Sequence, residues 1–199
     1  MLRTKVIPGK SPQTVLSGAR PAEAAGRPRP WKSTDAAAAA REFFTRPRDR
    51  AARDLMRALC SGDPYQHRCA AEVARLISRR KPGLLAAYGD VLAEVAAGLP
   101  EEEWQSRGYV LVAAALNATT PAQRARLLPL VRVRLEEDRI ALRAMALEAF
   151  AVRAAAEPDL RDEALTLLES ARHSTIPALR SRAKLMLPLL VRAEARTPR

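Results

Sequence analysis

The sequence repeats itself about every 37 residues, and this period constrains the fold more than any other feature. Two series of marker residues share it. Prolines recur at spacings of 35, 39 and 37 residues, at Pro47, Pro82, Pro121 and Pro158. Arginines recur between them at spacings of 39, 36 and 37 residues, at Arg68, Arg107, Arg143 and Arg180. Because proline favours the first turn of a helix, and small or apolar residues follow each arginine, each period predicts two helices.

Four helix pairs are therefore predicted between residues 47 and 195. The predicted helices are 47–61 with 63–81, 82–98 with 100–119, 121–137 with 138–156, and 158–172 with 175–195. The corresponding repeats span about 47–81, 82–119, 121–156 and 158–195. Short connections favour antiparallel neighbours, and no stretch alternates as a half-buried strand would. The sequence thus predicts an all-α fold.

Individual residues predict where these helices begin and where they are disturbed. Asp35, Asp63 and Asp138 stand at expected N-caps, because a carboxylate oxygen accepts the free N–H groups of a first helical turn. Pro129 and Pro188 fall in the middle of predicted helices, where a proline costs about 3 kcal/mol. We therefore expect a kink or a break at both prolines.

Two segments match each other most closely, DPYQHRCAAEVARLISRRKPGLL at 63–85 and DRIALRAMALEAFAVRAAAEPDL at 138–160. In each, an Asp precedes an Arg by five residues, and alanines follow at the same offsets. Four of these alanines are expected at close helix contacts: Ala71, Ala74, Ala146 and Ala149.

This pattern, together with the period and the paired helices, resembles HEAT and HEAT-like repeats over about 47–195. The resemblance implies a right-handed α-solenoid, in which stacking buries apolar faces that one pair cannot bury alone. It also implies that the arginine-bearing helices line the concave face. The repeat arginines are then structural, each tying the turn between repeats through its acid: Arg68, Arg107, Arg143 and Arg180.

The positive charge of the chain is concentrated at its N-terminal end. Residues 1–50 hold 11 Lys/Arg against 4 Asp/Glu, a net +7 of the chain's formal +12. Prolines recur throughout residues 1–34, with little that could be buried, so this segment is predicted to be a flexible basic arm. Residues 35–199 form the predicted repeat domain. No transmembrane or secretory segment is evident, and we expect a cytoplasmic monomer. The Arg-rich, acid-poor composition of residues 1–34 also fits a transit peptide, and this alternative stays open.

Residues that could carry chemistry are few. Cys60, His67 and Cys69 lie close together in sequence, but their spacing matches no common zinc pattern. No Gly-rich phosphate loop is present, and the acidic clusters fall at helix boundaries, where they favour helix ends. We therefore expect no catalytic residues, no metal, no cofactor and no enzymatic activity.

A candidate binding surface lies further along the predicted concave helices. Five residues follow the repeat arginines by ten to twelve positions: Arg79, Arg80, Asn117, Arg153 and Arg192. Stacking of repeats would align them as an exposed row, which we call the concave stripe. The four concave helices hold 13 Lys/Arg, and apart from acids at their boundaries only Glu72, Glu148 and Glu194 oppose them. Such a row is typical of phosphate-backbone binding, although charge runs are usually solvated faces.

Three functions stay open at this point. The first is a non-enzymatic scaffold that binds a protein on its concave face. The second is sequence-independent binding of nucleic acid by the concave stripe and the basic arm. The third is a DNA glycosylase, since HEAT-like enzymes of this kind use a basic concave groove. Those enzymes need an Asp among aromatic residues there, and the tryptophans here, Trp31 and Trp104, lie in the arm and at a helix start.

Deletion of residues 1–34 is expected to leave the thermal midpoint of unfolding within a few degrees of the full chain. Their proline density and the lack of an apolar period leave little to pack on the repeats. Thermal unfolding followed by circular dichroism measures this. Loss of a cooperative transition would show instead that the segment belongs to the core.

Overall fold

The computed structural model describes residues 36–45 and 48–195. Throughout these ranges the regular secondary structure is helical, and no strand occurs in them. The all-α prediction is therefore confirmed for the described part of the chain. The predicted arm, residues 1–34, lies outside the described residues, as do Asp35 and Pro47.

Nine α-helices follow one another within the described ranges. They are α1 (Ala36–Phe43), α2 (Arg48–Leu59), α3 (Pro64–Arg80), α4 (Gly89–Gly98), α5 (Trp104–Asn117), α6 (Pro121–Leu135), α7 (Ile140–Ala156), α8 (Arg161–Arg172) and α9 (Pro177–Ala195). Single 3₁₀ turns precede α4, α5 and α8, at Ala86–Tyr88, Glu101–Glu103 and Pro158–Leu160. Helices α2 to α9 correspond to the eight predicted helices, and most are a few residues shorter than predicted.

Every second helix belongs to one continuous row. Helix α3 packs on α5, α5 on α7, and α7 on α9, and we call these four helices the central row. Each remaining helix of a pair, α2, α4, α6 or α8, packs on the central-row helix that follows it, and α1 packs on α3. Residues 110–115 of α5 and 144–151 of α7 are buried without interruption, so these helices are covered on every side.

Small residues allow the central-row helices to approach closely. Ala71, Ala74, Ala146 and Ala149 are all fully buried, as their predicted place at close helix contacts requires. Gly108 of α5 is equally constrained, because a Cβ atom there would lie 2.4 Å from the terminal methyl of Met145 on α7. Any side chain at residue 108 would therefore displace Met145.

The predicted helix starts are partly confirmed. The Asp63 carboxylate accepts hydrogen bonds from the backbone N–H groups of Tyr65 (2.9 Å) and Gln66 (3.4 Å), as predicted for an N-cap. The prediction for Asp138 is wrong, because α7 begins at Ile140 and its N-cap position is Arg139, which makes no side-chain capping bond.

Pro82 does not open a helix, contrary to the sequence-based prediction. The chain turns there and α4 begins only at Gly89, because Gly83 adopts a left-handed conformation with φ of 77°. The Gly83 N–H donates to the carbonyl oxygen of Leu116 (3.0 Å), and this bond holds the turn against the end of α5.

Helices α6 and α9 continue past Pro129 and Pro188, so neither proline breaks its helix, and of the two predicted disturbances the kink stays a prediction. Both prolines lie at exposed positions. The residues four positions earlier, Ala125 and Lys184, are exposed as well, so water can hydrate the carbonyl groups that a proline leaves without an N–H partner. No helix among the described residues is long and apolar enough to cross a membrane.

Substitution of Ala146 by Leu is expected to lower the free energy of unfolding by about 1–3 kcal/mol, because the site between central-row helices has no room for a larger side chain. Ala141→Leu on the same helix is the control, since Ala141 is exposed. Chemical denaturation measures both. Equal stabilities would show that the Ala146 face of α7 is not closely packed.

Candidate functional site

On α5, Gln105, Tyr109 and Leu116 lie on one face of the helix and are partly exposed. We call this side of the central row the open side, and polar side chains meet there. On α3, residues 68, 72, 75 and 79 recur at spacings of three and four and so share one face of the helix. Arg75 and Arg79 on this face reach the middle of the row. Arg75 meets Tyr109 of α5 and Arg79 meets Glu148 of α7, so side chains of three central-row helices come together here.

Glu148 is the centre of this arrangement. It is the only acidic residue within α7, and its side chain is almost fully buried, with 2 % of the residue exposed. The Arg79 Nε–H donates to Glu148 Oε1 (2.6 Å), and a second Arg79 nitrogen donates to Oε2. Arg182 of α9 donates to the same Oε2 (2.5 Å). A two-pronged guanidinium–carboxylate pair is the strongest form of this interaction, and here one carboxylate links α3, α7 and α9.

Arg75 lies beside the Arg79–Glu148 ion pair and makes no hydrogen bond to Glu148. Its guanidinium carbon is 4.6 Å from the centroid of the Tyr109 ring, a cation–π distance. Its Nε atom is buried and has no hydrogen-bond partner, and its closest carboxylate contact, Nη2 to Glu72 Oε1, is 3.7 Å. Burial lowers the pKa of the Arg75 guanidinium, and the neighbouring charge of Arg79 lowers it further, against smaller opposing effects of Tyr109, Glu148 and Glu72.

We call these side chains the arginine cluster. Its members are Glu72, Arg75, Arg79, Tyr109, Glu148 and Arg182. Three arginines face two carboxylates, so the cluster carries one uncompensated positive charge. Of its members, only Arg79 is among the stripe residues that the sequence predicts. A signal for Glu148 was nevertheless visible, because a single acid in the middle of an otherwise apolar helix needs a partner when it is buried.

Two members of the predicted concave stripe are buried, not exposed. Asn117 is inaccessible to solvent, and its side chain bonds to Ser78 Oγ (2.7 Å), the Ala113 carbonyl (2.7 Å) and the Leu85 N–H (2.7 Å). These bonds join the end of α5 to α3 and to the turn that follows α3. The reason is local: helix ends leave backbone groups without partners, and buried ends need a side chain to satisfy them.

Arg153 has the equivalent role at the next step of the row. Only 6 % of the residue is exposed, and Nη1 donates to the carbonyl oxygens of Ala118 (2.9 Å) and Ala115 (3.3 Å) at the end of α5. Its Nε–H donates to Glu157 (2.8 Å). A guanidinium that is buried and occupied by carbonyl groups is not available to a ligand.

The other stripe residues do reach solvent, but they do not form a row of free cations. Arg80 is exposed and its guanidinium lies 4.6 Å from the centroid of the Phe44 ring. Arg192 is exposed near the end of α9. Arg79, which is partly exposed, is the stripe member that belongs to the arginine cluster.

Two of the four repeat arginines donate hydrogen bonds to backbone carbonyl groups. Arg107 is buried and donates to the Leu99 carbonyl oxygen. Arg180 donates to the carbonyl oxygens of Ser174 (2.9 Å) and Thr175 (2.8 Å). Both hold the connection that precedes their own helix.

The predicted pairing of the repeat arginines with acids does not form in the two repeats whose sequences match most closely. Within residues 48–195, Arg68 makes no ion pair with Asp63, and Arg143 makes none with Asp138. Asp63 is instead occupied as an N-cap. Arg68 is exposed, and the Nε atom of Arg143 is buried without a hydrogen-bond partner.

The three residues considered for a metal site, Cys60, His67 and Cys69, differ in their burial. Cys60 is exposed and Cys69 is buried. His67 is buried, and desolvation lowers the pKa of its imidazole against a smaller opposing effect of Glu103. Across the described ranges, no group of three or more His, Cys, Asp or Glu side chains is arranged to hold a metal ion.

Comparison with protein-family models, with curated proteins and with solved structures gives no match to this chain. The HEAT-like resemblance therefore stays a prediction from the period and the residue pattern. The function has to be argued from the side chains of the central row.

Substitution of Asn117 by Ala is expected to lower the free energy of unfolding by about 1–3 kcal/mol, because the buried Leu85 N–H loses its acceptor. Arg192→Ser, at an exposed stripe position, should change it by less than about 0.5 kcal/mol. Urea denaturation of the two variants separates the structural from the exposed stripe residue. Equal effects would contradict this division.

Proposed function

We propose that this chain is a non-enzymatic binding or scaffold protein, built as a right-handed HEAT-like solenoid of about four helix pairs, and that the open side of its central row recognises a protein partner. The unbroken contacts from α3 through α5 and α7 to α9 support a stacked array. An array of this kind offers an extended surface to which every pair contributes. Tyr109, Gln105 and Leu76 are partly exposed on or beside this surface and offer aromatic, polar and aliphatic contacts.

The observation that carries the proposal is that two cations of the concave stripe are already engaged by other groups of the chain. A protein that binds a phosphate backbone needs a series of free Lys or Arg side chains. Here Arg79 is paired with Glu148, and Arg153 is buried among carbonyl groups. Two of the four stripe arginines are thus not free cations, and the central row offers a mixed surface of charged, aromatic and aliphatic side chains, of the kind that protein interfaces use.

A second candidate is nucleic-acid binding by the N-terminal region. Arg50, Arg53 and Arg57 are exposed on one side of α2, at spacings of three and four residues. The basic residues 1–34 precede α1 and α2 in the chain. Against it, Arg57 is paired with Asp54 (3.2 Å), which reduces the free charge.

A photo-crosslinking amino acid at Gln105 tests the proposal in the full chain. Gln105 precedes Tyr109 by one helical turn on the open side of the row. Irradiation in an extract of the cells that make the protein should give one or a few protein adducts of defined mass. The same amino acid at Thr166, exposed on α8, should give none of them.

Nuclease treatment separates the two candidates. The adducts at residue 105 should survive digestion with DNase and RNase before irradiation. Adducts that disappear on digestion, or that form equally at residue 166, would contradict protein recognition by the central row. Salt-dependent DNA or RNA binding that is lost on deletion of residues 1–34 would then support the N-terminal candidate.

A further inference from the structure

We propose that the arginine cluster is a carboxylate-binding site, which takes an Asp or Glu side chain of an extended acidic peptide segment in the protein partner. This inference rests on the proposed function, because it names the chemistry of the partner. The site lies where Arg79 and Arg182 meet at Glu148, with Arg75 one helical turn from Arg79 on the same face of α3.

The hydrogen-bonding capacity of the cluster exceeds what the chain itself satisfies. Each guanidinium carries more N–H donors than it uses here, and Glu148 accepts two bonds from Arg79 and one from Arg182. Arg75 makes no hydrogen bond to either carboxylate, since its 3.7 Å contact with Glu72 is too long for one. The Arg75 guanidinium thus keeps N–H donors that the chain does not use, and its side chain is 14 % exposed, so a ligand oxygen can reach it.

The surroundings favour a single carboxylate. The cluster has one positive charge in excess, and one added carboxylate would neutralise it. Arg75 is 14 % exposed and held against the Tyr109 ring, so it loses little freedom when it binds. A phosphate backbone brings several charges at close spacing, and the buried carboxylate of Glu148 would repel the phosphates that flank the first.

The side chains around the arginine cluster indicate which residues would flank the bound carboxylate. Leu76 of α3, Val152 of α7 and Leu185 of α9 lie one helical turn or less from the cluster residues of their helices, and all three are at least partly exposed. An acidic residue flanked by aliphatic residues would place its carboxylate on the arginines and its neighbours on this apolar margin. Peptides of this composition are the expected ligands.

The test uses the full chain and a fluorescein-labelled peptide with alternating Glu and Leu residues, compared with a peptide in which Gln replaces Glu. Fluorescence anisotropy should show that the Glu peptide binds at least about tenfold more tightly. Arg75→Gln should weaken its binding by about fivefold or more, and Arg75→Lys by less, because lysine keeps the charge and loses the planar donor set. Arg57→Gln on α2 is the matched control and should leave the affinity unchanged.

Glu148→Gln provides a readout that a purely structural cluster would not give. Removal of this charge frees Arg79 and Arg182, so the Glu peptide should bind more tightly to the variant, by about threefold or more, as a like charge leaves the site. Circular dichroism of each variant establishes that it is folded. Should Glu148→Gln unfold, the Arg75 variants and the Gln peptide still decide the matter.

Several results would overturn the site. They are equal affinity for the Glu and Gln peptides, an unchanged affinity of folded Arg75→Gln, and tighter binding of a mixed-sequence oligonucleotide that also depends on Arg75. A nuclease-resistant protein adduct at residue 105, combined with no preference for the Glu peptide, would remove the carboxylate site and leave protein recognition by the central row standing.

Discussion

The packing of this chain depends on one constraint: α5 and α7 have no continuous polar side. Each is buried around its whole circumference over one or two turns. Such a helix cannot lie at a surface, because each Å² of apolar area exposed to water would cost about 25 cal/mol of folding free energy. It must be covered by a neighbour on each side along the row and by a helix of its own pair. The order α3, α5, α7, α9 satisfies this requirement for both helices.

The same packing explains why polar residues lie in the core. The C-terminal end of α5 is covered too, since Asn117 and Ala118 are buried, and the carbonyl groups of its last turn lose access to water. Asn117 and Arg153 occupy those places, each bonding the end of α5 or the structure beside it. Their regular spacing from the repeat arginines, which resembles a ligand-binding row in the sequence, reflects the regular spacing of buried helix ends. Regular placement of a polar residue is therefore compatible with either role, and burial decides between them.

The sequence predicts the helices well and the site poorly, for a physical reason. Period, proline positions and apolar pattern are local properties, and they locate all eight paired helices within a few residues, except where Gly83 turns the chain after Pro82. The arginine cluster joins α3, α7 and α9, whose contributing residues Arg79, Glu148 and Arg182 are separated by 69 and 34 positions. Nothing local specifies which arginine reaches Glu148. A lone acid in an apolar helix indicates that some partner must exist, and tertiary packing chooses it.

The ion pair between Arg79 and Glu148 also bears on how the chain loses its structure. In a linear array, each helix pair contacts only its neighbours. The pair at one end can therefore unfold without affecting a pair two steps away. Helices α3 and α7 are separated in the row by α5, so this pair joins elements two steps apart, and Arg182 extends the connection to α9. Detachment of α3 therefore deprives Glu148, two pairs along, of its two-pronged partner while it stays buried. The carboxylate transmits the opening of one end to the other, and the array gains unfolding cooperativity that its interfaces between neighbours do not supply.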